Sequence, residues 1–173
     1  VLQGDDLVMA CYQRAPLDAA LTDNLVYPFL NTFWGADLRE PLAGEFCVSG
    51  KTAVDLATAD VWETNVARFG VNVWLAIYGL TQQLRLAQVD LGYRGPNGGE
   101  PAAPDDPRFV HTVGTLFRAL TLYRHTWTQG IASPSVPFRG LRVPDRTVED
   151  EVDPGLLEAA LRAGASDYQT SWR

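Results

Sequence analysis

Three stretches of the chain have the apolar pattern of β-strands. Residues 7–12 form a short apolar run that ends in polar Gln13 and Arg14, and its length fits a buried strand. Residues 46–49 form a second run, and in 84–93 apolar and polar positions alternate. The pattern therefore predicts three strands that are well separated along the chain.

Longer segments between these strands carry apolar side chains at helical spacing. In 18–34 the apolar positions recur every four residues, with Pro28 expected to kink the helix and Gly35 to end it. A second helix is predicted from about Asn72 and a third over 107–127. Because strands and helices alternate, the sequence predicts an α/β fold.

The composition and charge of the chain limit the classes of partner that we expect. The 173 residues suit one domain or a piece of a larger one, and 46% of them are hydrophobic against 20% charged. The net charge of −7 is not gathered into a run, which argues against nucleic acid as a partner. No apolar run is long enough for a membrane span, so a cytoplasmic protein is expected. The chain begins at Val1 in what reads as the tail of a helix, which indicates a fragment of a longer protein.

Neither the cysteines nor the first acidic residues have the spacing of a metal site. Cys11 and Cys47 lack the CxxC spacing typical of zinc sites. Gly4, Asp5 and Asp6 spell GDD, which holds two metal ions in RNA polymerases, but such a site needs a further carboxylate from an earlier strand. We expect Asp5 and Asp6 to be turn residues in front of the first strand.

Polar residues follow the first predicted strand at regular spacing. Ligands in α/β sheets bind at the carboxyl ends of strands. Arg14, Asp18 and Thr22 lie four residues apart there, and a guanidinium, a helix N-terminus and a hydroxyl together suit a small carboxylate that carries hydroxyl groups. The alternative is structural: Asp18 caps the helix and pairs with Arg14.

The loop before residue 46 offers a further acid. Glu45 follows the small residues Ala43 and Gly44, and small residues let a ligand approach the backbone closely. In that setting Glu45 can accept hydrogen bonds from a sugar hydroxyl. The alternative is an ordinary carboxylate at a strand edge, and the sequence leaves both open.

Five segments occur in an order that resembles a known family. They are DLVMACYQRAPLDAALTDNLVYPF, REPLAGEFCVSG, VWETNVARFGVNVWL, AQVDLGYRG and VGTLFRAL, and they cover about residues 5–127. In this order they resemble the second half of GT-A glycosyltransferases of the mannosylglycerate synthase and glucosyl-3-phosphoglycerate synthase type. The resemblance implies a partial GT-A sheet with flanking helices. Residues 1–131 would be its acceptor-binding half. Residues 132–173, which the resemblance does not cover, are expected from their composition to be a proline-rich C-terminal extension with a short helix at 154–163.

The resemblance also implies roles for individual residues. The positions of Arg14, Asp18 and Thr22 match those that bind the glycerate-type acceptor in the family. Gly44 and Glu45 match the loop that touches the acceptor and the donor sugar. Gly44 is therefore expected to help bind the acceptor and Glu45 to stand at a catalytic position.

Two positions depart from the family pattern. Asn72 occupies the second catalytic position, where the family usually has an acid, and an amide cannot act as a carboxylate base. Pro96 stands where the family has a metal-binding His, and it has no side-chain ligand to offer. A divalent metal, Mg²⁺ or Mn²⁺, is expected in the intact family, whereas none is expected in this chain.

The resemblance leaves two functions open. The first is a fragment of an enzyme that transfers a sugar from a nucleotide sugar to a small hydroxy acid, with this chain alone expected to be inactive. The second is a non-catalytic binding or assembly module that has lost its metal site. Neither nucleic acid nor a membrane is an expected partner. A piece of a larger sheet leaves an exposed strand edge, which favours self-association into a homo-oligomer.

Overall fold

A four-stranded sheet with helices packed against it forms the centre of the molecule. The computed structural model describes residues 4–15, 18–95, 106–129, 135–140 and 153–169. The sheet is mixed, and helices flank it in the α/β arrangement that the sequence predicts. Within these ranges no helix is both long enough and apolar enough to cross a membrane.

The sheet has the strand order β2-β1-β3-β4. β1 lies between β2, to which it is antiparallel, and β3, to which it is parallel, and β4 adds a short parallel strand on the far side of β3. The bounds are Leu7–Gln13 for β1, Phe46–Val48 for β2, Leu86–Tyr93 for β3 and Phe138–Arg139 for β4. The three strands predicted from the sequence are present, and β4 is an addition to them.

The described ranges contain six helices and two shorter helical turns. The helices are α1, Tyr27–Trp34; α2, Gly50–Ala57; α3, Val71–Thr81; α4, Pro107–Leu122; α5, Arg124–Thr128; and α6, Pro154–Tyr168. A π-helical turn spans Thr22–Val26 and a 3₁₀ turn spans Asn65–Ala67. α6 continues beyond the helix predicted at 154–163.

The helix predicted over 18–34 is not a single α-helix. Pro28 has no backbone N–H, and its ring clashes with the carbonyl four residues earlier in a regular α-helix. The chain meets this constraint with the π-helical turn, whose wider pitch lets the backbone amide of Tyr27 donate to the carbonyl of Thr22. α1 then ends as predicted at Gly35, which adopts a left-handed φ of 65° and donates to the carbonyl of Asn31.

Two further element boundaries differ from the prediction. Ser49 is not the end of β2. Its hydroxyl accepts a hydrogen bond from the backbone N–H of Thr52 at 3.2 Å and so caps α2, which the sequence interpretation missed. The helix predicted over 107–127 is broken at Tyr123, where α4 ends and α5 begins.

α3 joins two apolar clusters into one core. The larger cluster contains residues from β1, β3, α1, α3 and α4, and the smaller one lies around α2 and the 3₁₀ turn. α3 contributes Val73, Ala76 and Ile77 to the first and Trp74 and Leu75 to the second. A helix that is apolar on nearly every face is one that is buried on nearly every face.

The two aspartates of the GDD segment attach the start of β1 to other parts of the sheet. Asp5 accepts two hydrogen bonds from Arg139 of β4, at 2.9 and 2.7 Å. Asp6 accepts from the backbone N–H and the guanidinium of Arg85, which precedes β3, at 3.1 to 3.2 Å. Both acids therefore act as structural turn residues, and Gly4 supplies the left-handed backbone, at φ 89°, that leads into the turn.

Gln88 is a buried hub on β3. Its side-chain amide donates to the carbonyls of Asp37 and Val136, and its side-chain oxygen accepts from the backbone N–H of Arg39 at 2.6 Å. Its own backbone N–H donates to the carbonyl of Pro137. This residue therefore fixes both the loop after α1 and the segment that carries β4, which belongs to the predicted extension 132–173.

Candidate functional site

Three loops meet at one edge of the sheet. β1 and β3 are parallel, so the segments after Gln13 and Tyr93 leave the same edge. The loop before Phe46 lies at the amino end of β2. It arrives at this edge because β2 is antiparallel, and the backbone amide of Ala10 donates to the carbonyl of Glu45 at 3.0 Å.

Five side chains from these loops and from the end of β1 form what we call the carboxyl-edge cluster: Tyr12, Arg14, Glu40, Glu45 and Arg94. Arg14 and Glu45 are sequence-predicted site residues, whereas the other three are added by the structure. The cluster combines two guanidinium groups, two carboxylates and a phenol.

The Arg14 side chain is bound by carboxylates of the protein itself. Its Nε donates to Glu40, and its Nη1 donates to Asp18 Oδ2 at 3.2 Å. The side chains of Arg14 and Glu40 are only 12% and 6% exposed. The structural alternative, in which Asp18 pairs with Arg14, thus describes the observed contact, while no helix-capping hydrogen bond from a side chain precedes the π-helical turn.

Glu40 is one of the three cluster residues that sequence reasoning missed. One of its oxygens pairs with Arg14 and the other accepts the backbone N–H of Tyr12 at 2.6 Å. Burial raises the pKa of Glu40, and the Arg14 guanidinium and the Tyr12 amide oppose that rise. In the sequence, this acid stands between the apolar residues Leu38 and Pro41. The structure buries both of these residues.

Tyr12 lies beneath both arginines of the cluster. The guanidinium carbons of Arg14 and Arg94 are 5.7 and 5.1 Å from the centroid of its ring. Such cation–π contacts orient a guanidinium at little cost in entropy. Burial, and after it the nearby Glu45 carboxylate, raises the pKa of Tyr12.

Arg94 is held firmly but has hydrogen-bonding capacity left over. Its Nη1 donates to the carbonyl of Ala43 at 3.1 Å and to the two Glu45 oxygens at 3.1 and 3.2 Å. Its backbone N–H donates to the carbonyl of Gln13. No residue in the described part of the chain accepts from its Nε or Nη2, and the side chain is 34% exposed. Arg94 thus presents an oriented guanidinium, partly open to solvent, at the edge where ligands of α/β sheets bind.

Gly44 and Asn72 border the same cluster. Gly44 has a φ of 94° and is exposed, and Asn72 Nδ2 lies 4.0 Å from the point where a Cβ on Gly44 would stand. Asn72 is in the first turn of α3. The structure therefore places Asn72 near Gly44, the residue that precedes the Arg94-bound Glu45.

Asp18 and Thr22 face different surroundings. Asp18 lines an open groove of about 490 Å³ between the π-helical turn and the start of α4, with Leu21, Leu25 and Phe109 among its apolar walls. Thr22 is buried and is not among the residues that line this groove. Asp18 therefore connects the groove to the cluster through Arg14, and Thr22 faces the interior.

A second cavity opens beside the cluster. Its volume is about 430 Å³, and Asp37 and Arg39, which pair at 2.8 Å, lie at its rim. It is lined by residues from β1, β3, β4 and the loop after α1: Cys11, Tyr12, Gln13, Asp37, Arg39, Asp90 and Phe138. The edge of the sheet thus offers polar space on more than one side of Tyr12.

The described residues do not fit the divalent metal that the resemblance implies for the intact family. Asp5 and Asp6 are each engaged by an arginine. No group of three or more His, Cys, Asp or Glu side chains in the described ranges is placed to hold an ion. Pro96, where the family has a histidine, lies outside those ranges.

No protein-family model and no curated protein matches this chain.

Proposed function

We propose that this chain is the acceptor-binding half of a GT-A-like glycosyltransferase, and that it binds a small hydroxy acid at the carboxyl-edge cluster. The observation that carries the proposal is Arg94. It is a guanidinium fixed by Tyr12, Ala43 and Glu45, with two donor nitrogens that no described residue uses. A carboxylate is the natural partner of such a fork.

The neighbours of Arg94 fit the rest of such a ligand. Gly44 leaves the backbone open to close approach, since among the described residues other than its chain neighbours only the Asn72 amide comes within 4.0 Å of the place where its Cβ would be. The Asn72 amide and the Glu45 carboxylate offer donors and acceptors for hydroxyl groups. In this proposal Arg94 takes the acid group, while Arg14, held by Glu40 and Asp18, supports the ring of Tyr12.

Calorimetric titration with glycerate tests the proposal. Arg94→Ala should weaken binding about tenfold or more, because a hydrogen-bonded charge pair is lost. Arg94→Lys should recover only part of the affinity, since lysine keeps the charge without the planar fork. Arg162→Ala is the matched control, because Arg162 also pairs with a glutamate but lies on α6. Equal affinity in the wild type and in Arg94→Ala would contradict the proposal.

A non-catalytic binding module is the second candidate, and Asn72 is the observation that favours it. The amide borders the cluster at the position where the family pattern has an acid. An assay with nucleotide sugars, glycerate and Mn²⁺ separates the two candidates when it is run on the full-length gene product, because this chain alone is expected to be inactive under both. Glycerate binding without sugar transfer by that product, unchanged in its Asn72→Asp variant, supports the module. Metal-dependent transfer by either product supports the enzyme.

A further inference from the structure

The second cavity, beside the carboxyl-edge cluster, has walls from three parts of the chain. The ends of β1 and β3 form the first wall, the loop after α1 contributes Asp37 and Arg39, and Phe138 of β4 forms the third. Its volume of about 430 Å³ lies within the range of small-molecule sites and suits a ligand of the size of one sugar ring. Arg94 and Glu45 are not among the described residues that line it, so the cavity is separate from the proposed carboxylate position.

A β-bulge shapes the first wall. Cys11 of β1 pairs with Asp90 of β3, but two residues later Gln13 pairs with Tyr93, so β3 has one extra residue here. The bulge contains Gly92, whose φ of 82° favours glycine, and the Asp90 side chain accepts the backbone N–H of Gly92 at 2.9 Å. Bulges re-aim side chains at the edges of sheets, and the anchored carboxylate of Asp90 lines the cavity.

Gln88 holds the other two walls in place. Its side-chain amide donates to the carbonyls of Asp37 and Val136, and its side-chain oxygen accepts the backbone N–H of Arg39. Gln88 is 1% exposed and pairs with Phe138 in the register of β3 and β4. Because these walls are fixed in the free protein, a ligand that binds between them has little ordering of the protein to bring about.

The charged groups of the cavity favour a neutral ligand. Arg39 donates to Asp37 from Nε at 2.8 Å and from Nη2 at 3.3 Å, so the two charges neutralise each other. The ring of Tyr27 lies 5.0 Å from the guanidinium carbon, and its hydroxyl donates to Asp37 at 3.0 Å, which orients the pair. The Asp90 carboxylate disfavours an anion, and the Arg39 guanidinium disfavours a cation.

The hydrogen-bonding groups on the walls suit a ligand with several hydroxyl groups. No described residue accepts from Nη1 of Arg39, which leaves donors at the rim of the cavity. The carboxylates of Asp37 and Asp90 are acceptors, and the Gln13 amide can donate as well as accept. The ring of Phe138 adds an apolar surface.

We propose that this cavity binds a neutral polyhydroxyl ring of the size of a monosaccharide. A hydroxyl group can accept from a guanidinium and donate to a carboxylate, whereas a ligand carboxylate only accepts and an ammonium group only donates. This site is independent of the proposed function, because it uses different side chains and a ligand without an acid group. The two sites are neighbours through Tyr12, which lies beneath Arg94 and lines the cavity.

Protection of Cys11 from alkylation tests the proposal. Cys11 lines the cavity and is partly exposed, whereas Cys47 is exposed on β2 and serves as an internal control in the same molecule. Methyl α-glucoside at about ten times its dissociation constant should slow the reaction of Cys11 with iodoacetamide about tenfold. The rate at Cys47, measured in the same mass spectra, should not change. The backbone amide resonances of Gly92 and Phe138 should shift in the same titration.

Asp90→Asn tests the contribution of the carboxylate. The asparagine oxygen can still accept the Gly92 N–H and so keep the bulge, while a hydrogen bond to a charged acceptor is lost. Binding of methyl α-glucoside should therefore weaken about tenfold. Asp55→Asn makes the same chemical change at an exposed position of α2 and should leave the affinity unchanged. Circular dichroism of both variants shows that the fold is retained.

Glucuronate and glucosamine test the charge argument with rings of the same size. Both should protect Cys11 more weakly than methyl α-glucoside, and stronger protection by either one would overturn the assignment to a neutral ligand. If methyl α-glucoside neither protects Cys11 nor shifts the Gly92 and Phe138 resonances, or if it protects Cys11 and Cys47 equally, the proposal is wrong. The proposed function, which is tested at Arg94, stands or falls separately.

Discussion

A single buried carboxylate, Glu40, fixes two groups at the end of β1. It accepts the amide of Tyr12 and pairs with Arg14, so its loss leaves an arginine that is 12% exposed with Asp18 as its remaining carboxylate partner. Glu40→Gln should lower the free energy of unfolding by about 2 kcal/mol, because hydrogen bonds to charged groups are lost in a buried place. Urea denaturation measures this.

The exposed pair on α6 is the comparison for this prediction. Glu158→Gln makes the same chemical change in a solvent-exposed pair with Arg162 and should cost no more than about 0.5 kcal/mol. If the two variants lose the same stability, the burial of Glu40 has no energetic consequence and the prediction is wrong.

Asp5 makes the stability of the protein dependent on acidity. Hydrogen bonds from Arg139 hold the pKa of Asp5 below its ordinary value of 3.8. The folded state thus binds the proton less tightly than the unfolded state does. The contribution of the pair is complete above the ordinary pKa and is lost as the pH falls through the lower, folded-state value.

Asp5→Asn measures that contribution. The difference in unfolding free energy between wild type and variant should be constant at neutral pH and should shrink below pH 3.8, the ordinary pKa of Asp5. Arg139→Gln removes the other partner and should abolish the same part of the pH dependence. If the difference in unfolding free energy stays constant down to pH 2, the Asp5–Arg139 pair makes no pH-dependent contribution to stability. Either variant can show this result.

Sequence reasoning reached the site residues that are close together in the chain. Arg14 and Asp18 are four residues apart, so their pairing follows from spacing. Glu40 is 26 residues from Arg14, and Arg94 is 49 residues from Glu45. Those contacts depend on how β2 and β3 are placed beside β1, which no local pattern specifies.

At the scale of the element, Gly79 lets α3 pack closely against the sheet. A Cβ on Gly79 would stand 2.6 Å from Leu86 Cδ2 and 3.2 Å from Leu7 Cδ2, so the helix approaches β1 and β3 more closely than alanine allows. Gly79→Ala should destabilise the protein by about 1–3 kcal/mol through overpacking, despite the better helix propensity of alanine. Thermal and urea denaturation give the value.

Gly164 supplies the opposite case. It lies within α6, and outside the backbone of that helix and its chain neighbours no described residue comes within 4 Å of the place of its Cβ. Gly164→Ala should therefore be neutral or slightly stabilising, by up to about 1 kcal/mol. Finding Gly79→Ala as well tolerated as Gly164→Ala would refute the close packing of α3.

The elements that the sequence predicted are those with a clear local period. β1, β3 and α4 follow from alternation or helical spacing, and their bounds agree with the prediction to within a few residues. α2 was missed because Ser49 directly follows the apolar run of β2 and was assigned to that strand. Its role as the N-cap of α2 is visible only in its hydrogen bond with Thr52. The π-helical turn before Pro28 arises from a steric conflict inside an otherwise regular pattern.

At the scale of the whole molecule, β2 is the outermost strand on one side of the sheet. It pairs with β1 on one side and with no other described strand, and its Phe46 is 41% exposed. An exposed apolar edge strand favours pairing with a second copy of the chain. We predict concentration-dependent dimers in sedimentation velocity.

Phe46→Lys should shift that equilibrium to the monomer, because a charge on an edge strand opposes pairing. Leu161→Lys is the control, since Leu161 is an exposed leucine of α6 outside the sheet. Dimers that persist in Phe46→Lys and vanish in Leu161→Lys would place the interface elsewhere. A wild-type protein that stays monomeric at high concentration would contradict the prediction altogether.

Gln88 also links parts of the molecule that are far apart along the chain. Its side-chain partners are 48 to 51 residues away, so each contact closes a long loop. Non-local contacts of this kind slow folding. If the Gln88 amide is lost, β4 and the loop after α1 lose an attachment to β3 that they share, and we expect both segments to open more often within the folded protein.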